Sequence, residues 1–329
     1  MSLAIHPLDP ADDATIDEVL RLRDAARAVD WPDFPPPCPI SFRGLLRFAR
    51  HSRRDEFRVA RDGDVIVGFL EISLPLLDNL ENADVDIVVH PDHRRRGIGR
   101  AFHEYTLDFL RDAGRKRVGG HSLDAGPAAD FARAMGAQPG LAEVRRRLDL
   151  STMDDDVDTL AAAWSKAGGY ELVQWTNRTP DRYVDDVASL DATFLTEAPI
   201  GDLVLEPERV DTARIRESEA WADLRGFRRY HTGAVHTATG RLVALSALGR
   251  PASTTWHANQ WITLVNPDHR GHRLGLVVKL ENLRLCRMAE PALRYVDTWN
   301  ADVNDHMIAI NEAMGFRVVD TWMDWQQEF

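Results

Sequence analysis

The chain has little cysteine: only Cys38 and Cys286 among 329 residues, far apart and in no metal-ligand spacing. That argues against a disulfide framework and predicts no metal site, and it suits a reducing, cytoplasmic setting. No apolar run is long enough to cross a bilayer, so no membrane span is expected. Residues 1–13 hold neither a basic stretch nor an apolar one, so no signal peptide is expected there. Positive charge is also short. The net charge is -12, which predicts repulsion from nucleic acid and from anionic membrane. Any basic chemistry must therefore be local.

What is present is an internal repeat, and 329 residues already suggest two domains. Val89-His90-Pro91-Asp92-His93-Arg94 returns as Val265-Asn266-Pro267-Asp268-His269-Arg270. The turn at Gly63 returns at Gly240, and Ala134-Met135-Gly136 returns as Ala313-Met314-Gly315. The three landmarks keep their order at offsets of 176, 177 and 179 residues. Generic strand-turn-helix periodicity does not explain a shared Pro-Asp-His-Arg, so duplication is the better reading. The expected division is a first domain at 1–150, a linker helix within 151–168 and a second domain at 169–329.

Each copy predicts the same order. A strand (3–7; 170–175) leads to helices (11–28 and 42–51; 180–193 and 211–224). A hairpin follows (56–74; 232–248), then a strand (84–89; 260–265), an Arg-rich loop and a helix (97–113; 274–288). A strand (117–121; 295–299), a helix (127–135; 304–314) and closing strands complete it. Hairpins first and strand-helix-strand later imply an α/β (α+β) fold. Each half should be a mixed, mostly antiparallel twisted sheet flanked by helices.

The loop between strand and helix carries the chemistry. In Arg94-Arg95-Arg96-Gly97-Ile98-Gly99-Arg100, the glycines let backbone approach a ligand. The following helix start offers unpaired N–H groups and a dipole that favours an anion. Strand, basic loop, glycines and helix together read as a pyrophosphate cradle rather than a solvated basic turn. A Rossmann fingerprint would need a third glycine, and a Walker loop would need Gly-Lys-Ser/Thr; neither is present.

Arg-x-x-Gly-x-Gly after a Val-x-Pro strand end resembles the GNAT acetyltransferase superfamily. The tandem arrangement resembles tandem GNAT proteins of the mycothiol-synthase-like group. The resemblance implies acetyl-CoA as acyl donor, held by Arg94, Arg95, Arg96, Gly97, Ile98, Gly99 and Arg100, with Val88 and Val89 pairing the pantetheine arm. In the second copy it implies Leu264, Val265, Arg270, Gly271, His272, Arg273, Leu274 and Gly275. There Arg273 replaces the middle motif glycine, which could add a phosphate contact or obstruct the loop. Asn304 matches a residue that bonds the pantetheine arm, and it also suits a helix N-cap. Asn300 is expected near the same cleft.

The implied reaction is direct attack of a small-molecule amine on the thioester. It needs a base, for which Glu71, Asp84 and Asp86 stand in the first half and His257 and His231 in the second. It also needs a backbone N–H for the oxyanion. The tyrosine that many GNATs use as acid is absent: its positions are Ala132 and Asn311. Loops at 31–37 and 196–202 are the expected acceptor walls, and the strand at 322–329 is expected to line the second cleft. The reaction class carries over from the resemblance, whereas the acceptor and the choice between monomer and homodimer do not. A non-catalytic or half-degenerate acyl-CoA-binding protein is the alternative.

Overall fold

A computed structural model describes residues 3–153 and 157–329. The linker expected at 151–168 falls partly on 154–156, which lie outside the described residues. The first repeat runs β1 (Leu3–Pro7), α1 (Asp13–Asp30), α2 (Pro39–Arg47), β2 (Arg53–Asp62), β3 (Val65–Pro75), β4 (Asn82–Val89), α3 (Ile98–Asp112), β5 (Arg117–Leu123), α4 (Pro127–Ala134) and β6 (Gln138–Asp149). After α5 (Val157–Trp164), the second runs β7 (Tyr170–Thr176), α6 (Val184–Asp191), α7 (Phe194–Glu197), α8 (Thr212–Leu224), β8 (Phe227–His236), β9 (Leu242–Pro251), β10 (His257–Val265), α9 (Leu274–Ala289), β11 (Tyr295–Ala301), α10 (Asp305–Ala313) and β12 (Arg317–Glu328).

The chain forms two compact units. Unit 1 comprises Met1–Ala142, Ile200–Glu206 and Thr321–Phe329; unit 2 comprises Glu143–Pro199 and Pro207–Asp320. Each sheet is closed by a strand from the other repeat's sequence. In unit 1, β5 pairs antiparallel with 322–328 of β12. In unit 2, β11 pairs antiparallel with 143–149 of β6. This corrects one expectation: the strand at 322–329 lines the first sheet, not the second. The two closing strands have interchangeable patterns, so sequence alone does not say which sheet each one joins.

The feature that places the site is a parting of strands. β4 pairs with β3 along 84–89, but it pairs in parallel with β5 only over 82–84. Beyond Asp84 the β5 side of β4 is open. Unit 2 repeats this: β10 pairs with β9 as far as Val265 but with β11 only over 257–259.

Two helix layers sandwich the unit 1 sheet. Ile98, Phe102, Thr106 and Leu110 recur every four residues, share one face of α3, and are at most 1% exposed. The Phe102 ring sits so close to Gly68 that a Cβ there would lie 2.6 Å from it. Burying such a ring contributes about 2–3 kcal/mol. On the other face, α2 sets Phe42 edge-on to Phe69, 5.5 Å between ring centres.

Candidate active site

Both repeated loops have one backbone geometry. A 3₁₀ turn at Pro91–His93 is closed by His90 Nδ1, which accepts from the Asp92 N–H at 3.3 Å. In the second copy Asn266 Oδ1 accepts from the Asp268 N–H at 3.0 Å. Each loop then contains two left-handed residues. They are Arg95 (φ 61°) and Gly97 (φ 85°) in unit 1, and Gly271 (φ 85°) and Arg273 (φ 55°) in unit 2. Arginine and glycine have exchanged places, and Arg273 keeps the conformation rather than breaking it. Helices α3 and α9 start from Gly97 and Arg273 with no side-chain cap. Their first N–H groups are thus free of the caps that Asp12, Asp211 and Asn304 give other helices. An ideal Cβ at Gly97 or Gly271 meets nothing within 4 Å, so both cradles are open to a phosphate.

The arginines divide by role. Arg94 donates through Nη1 and Nη2 to the two oxygens of Asp30, at 2.8 and 2.6 Å, and through Nε to the Val89 carbonyl at 3.3 Å. It therefore anchors the loop to the end of α1. Arg95, Arg96 and Arg100 are exposed and surround the helix start. In unit 2 the counterpart Arg270 donates to Glu197 at 2.5 Å, so Glu197 holds this loop rather than facing an acceptor. His272 lies 3.3 Å from the Lys166 carbonyl, and His269 lies 3.0 Å from the Tyr170 hydroxyl. Gly99 and Gly275 give α3 and α9 room for close packing: a Cβ would lie 3.0 Å from Phe131 and 3.4 Å from Ile310. Ile98 and Leu274 are buried at 1% and 2% exposure and plug the helix starts into the core.

Below the unit 1 loop, one sheet face carries the polar groups. Val88, Asp86 and Asp84 lie opposite Phe69, Glu71 and Ser73 of β3, on the side that α1 and α2 cover. The structure thus brings the candidates Glu71 and Asp86 together as direct cross-strand partners. Arg23 of α1 donates to Asp86 at 3.1 Å, and Arg53 donates to Asp84 at 2.8 Å. The pairing Asp84↔Gly119 puts His121 of β5 on this same face. His121 Nδ1 lies 2.6 Å from Asp324 Oδ1 on β12. The Trp322 ring stacks on His121 with 4.7 Å between centres and 12° between planes. Trp31, from the loop expected as an acceptor wall, packs 5.3 Å from Trp322. The sequence reading missed His121 and Asp324, because only strand pairing unites residues 203 positions apart.

A strap from the second repeat crosses the same unit. The Val204 carbonyl accepts from Asn82 Nδ2 at 2.8 Å, and its N–H donates to Gln326 Oε1 at 2.9 Å. The loop expected at 196–202 as a second acceptor wall is therefore split. Its residues from Ile200 on belong to unit 1.

Unit 2 replaces this chemistry. Ala247 and Ile262 face each other where unit 1 has Glu71 and Asp86. Trp299 faces Arg145 where unit 1 has His121 and Asp324. β10 also carries a bulge between Gln260 and Ile262, with Trp261 as the extra residue. Gln260 Nε2 braces it by donating to the Ala247 and Ile262 carbonyls at 2.9 and 2.8 Å. Leu264 and Val265 follow, paired with β9 but beyond the stretch that pairs with β11.

His257 is fully buried at the start of β10, 3.0 Å from Asp297 Oδ2, and about 26 Å of strand separates it from the loop. Burial opposes ionisation of Asp297, but hydrogen bonds from Arg147 and His257 prevail and pull its carboxyl down to about 2. His257 is therefore part of a buried ionic knot. His231 stacks on Trp175 at 5.2 Å, and burial pushes its pKa down to about 3. Asn304 caps α10, accepting from the Met307 N–H at 3.2 Å. Asn311, at the second tyrosine position, is fully buried. It accepts from Lys279 Nζ and donates to Asn300 Oδ1 at 2.5 Å.

Parted central strands, an uncapped helix start at their end and a basic left-handed loop define an acyltransferase fold. The acetyltransferase (GNAT) family model matches residues 23–137. A tandem GNAT protein from the clavulanic acid biosynthesis pathway, solved without AcCoA, is 35% identical. The match covers 99% of this chain and 98% of that one, with a TM-score of 0.86. The chain belongs to the GNAT acetyltransferase family and is an acyltransferase built from two tandem GNAT repeats. It is also similar to the mycothiol acetyltransferase of Saccharomonospora viridis, 28% identical with 95% of each chain covered. That of Thermomonospora curvata is 36% identical over 144 residues, covering 43% of this chain and 42% of that protein. No helix among the described residues is long and apolar enough to cross a membrane.

Proposed function

We propose that unit 1 transfers an acetyl group from acetyl-CoA to the amine of a small molecule by direct attack. The observation that carries this reading is the open β4 edge running into the uncapped start of α3, beside a sheet face lined by Glu71, Asp84 and Asp86. When bound, acetyl-CoA supplies the reactive thioester. The N–H groups of residues 97–99 and the exposed Arg95, Arg96 and Arg100 would hold its pyrophosphate. The edge of Val88 and Val89 would align the pantetheine arm and point an N–H at the developing oxyanion. The carboxylates on this face would accept hydrogen bonds from the incoming amine. Neither tyrosine position carries a hydroxyl, so protonation of the leaving thiolate falls to water.

A second reading applies to unit 2. Its loop and helix start are kept, supporting acyl-CoA binding by Arg273, Gly275 and their neighbours. Ala247, Ile262 and Trp299 leave it without the carboxylates and imidazole of unit 1, which supports binding without turnover. Calorimetry with acetyl-CoA, together with thiol release across a panel of small amines, tests both readings. Binding with turnover of at least one amine is expected. Tight binding with no turnover of any amine would leave only an acyl-CoA-binding protein.

A further inference from the structure

We propose that His121, oriented by Asp324, is the base that takes the acceptor amine's proton in unit 1; this rests on unit 1 being the transferase. His121 sits on β5 two residues past Gly119, where the pairing with β4 ends. It therefore stands inside the parting of the strands, on the same face as Asp84, Asp86 and Val88. Its Nδ1 is held by Asp324 at 2.6 Å. A neutral imidazole so held carries its proton on Nδ1 and presents the Nε2 lone pair outward. The ring is 37% exposed, enough to accept a proton and return it to solvent.

The dyad is also built into the cofactor loop. Arg94 of that loop is clamped by Asp30; the next residue, Trp31, packs on Trp322; and Trp322 stacks on His121. One continuous set of contacts thus fixes the imidazole relative to the phosphate cradle. Two carboxylates on this face are already engaged, Asp86 by Arg23 and Asp84 by Arg53, and Glu71 lies across from Asp86 on β3. An exposed cross-strand His–Asp pair contributes little to stability. The repeat offers a control, because the sites of His121 and Asp324 hold Trp299 and Arg145 in unit 2.

In the step itself, the amine nitrogen forms a C–N bond to the acetyl carbon and the C–S bond breaks. The sulfur leaves with the electron pair. The N–H proton passes to His121 Nε2 and then to solvent, while Asp324 stays ionised and steadies the imidazolium.

The test compares the wild-type chain with His121→Gln and Asp324→Asn, each checked for unchanged thermal unfolding and acetyl-CoA affinity. His121→Gln is expected to lose about 10²-fold or more in kcat, with the KM for acetyl-CoA unchanged. Its residual rate should keep rising with pH, by about tenfold per unit, because the amine must then lose its proton unaided. Asp324→Asn should lower kcat less, and likewise spare the KM for acetyl-CoA. Wild-type turnover in His121→Gln would overturn the dyad while leaving the transferase reading standing. A wild-type chain that turns over no amine would overturn both together.

Discussion

Gly97 and Arg273 stand at the same point of the two repeated loops, and both backbones are left-handed, at φ 85° and 55°. Glycine adopts this conformation freely, whereas arginine does so at a cost of about 1–2 kcal/mol. Arg273→Gly should remove that cost. The freer unfolded chain returns about 0.4–1 kcal/mol of it, so a net stabilisation of about 0.5–1 kcal/mol is expected. Denaturant unfolding checks this; a loss of stability would show that Arg273 is not strained.

Arg94 and Asp30 form the bidentate pair that ties the phosphate loop to α1. Asp30→Asn should weaken acetyl-CoA binding by loosening the loop, and should cost about 1–3 kcal/mol of stability through the lost charge-assisted bonds. Calorimetry decides the sign. Tighter binding in Asp30→Asn would mean that Asp30 withholds Arg94 from the phosphates.

Much of this was legible in the sequence. The repeat, the order of elements and the strand-loop-helix cradle all rest on local signals: alternation, helical spacing, and Pro-Asp-His-Arg. What stayed hidden depends on long-range pairing. Which closing strand joins which sheet is not written in either strand. His121 met Asp324, and Arg94 met Asp30, only through the fold. Proximity in sequence also misled: His257 lies one strand from the loop, but at that strand's far, buried end against Asp297. The sequence leaves open whether Arg273 adds a phosphate contact or obstructs the loop, because it shows a missing glycine and not the retained backbone angle.

Lys279 is fully buried, bonded to Asn311 and set over the Phe316 ring at 5.1 Å. Burial drops its pKa to about 7 from the ordinary 10.5. Above pH 7 the unfolded chain then binds the extra proton, so stability should rise with pH, by at most about 1.4 kcal/mol per unit. Cys286, whose thiol burial pushes up to about 12, titrates at about 8.5 in the unfolded chain and opposes this rise, but it does so equally with and without Lys279, so the difference between the two chains isolates the lysine. Lys279→Met should flatten this slope in denaturant unfolding at pH 7 and 8.5. An unchanged slope would show that Lys279 is charged in the folded protein.

The most direct measurement of where acetyl transfer occurs is thiol release from acetyl-CoA, with amine acceptors, by the wild type, Gly97→Glu and Arg273→Glu. A carboxylate at the start of α3 would face the phosphates. Gly97→Glu is therefore predicted to bring turnover to background while Arg273→Glu retains it. Turnover that survives Gly97→Glu and disappears in Arg273→Glu would contradict the assignment of the reaction to unit 1.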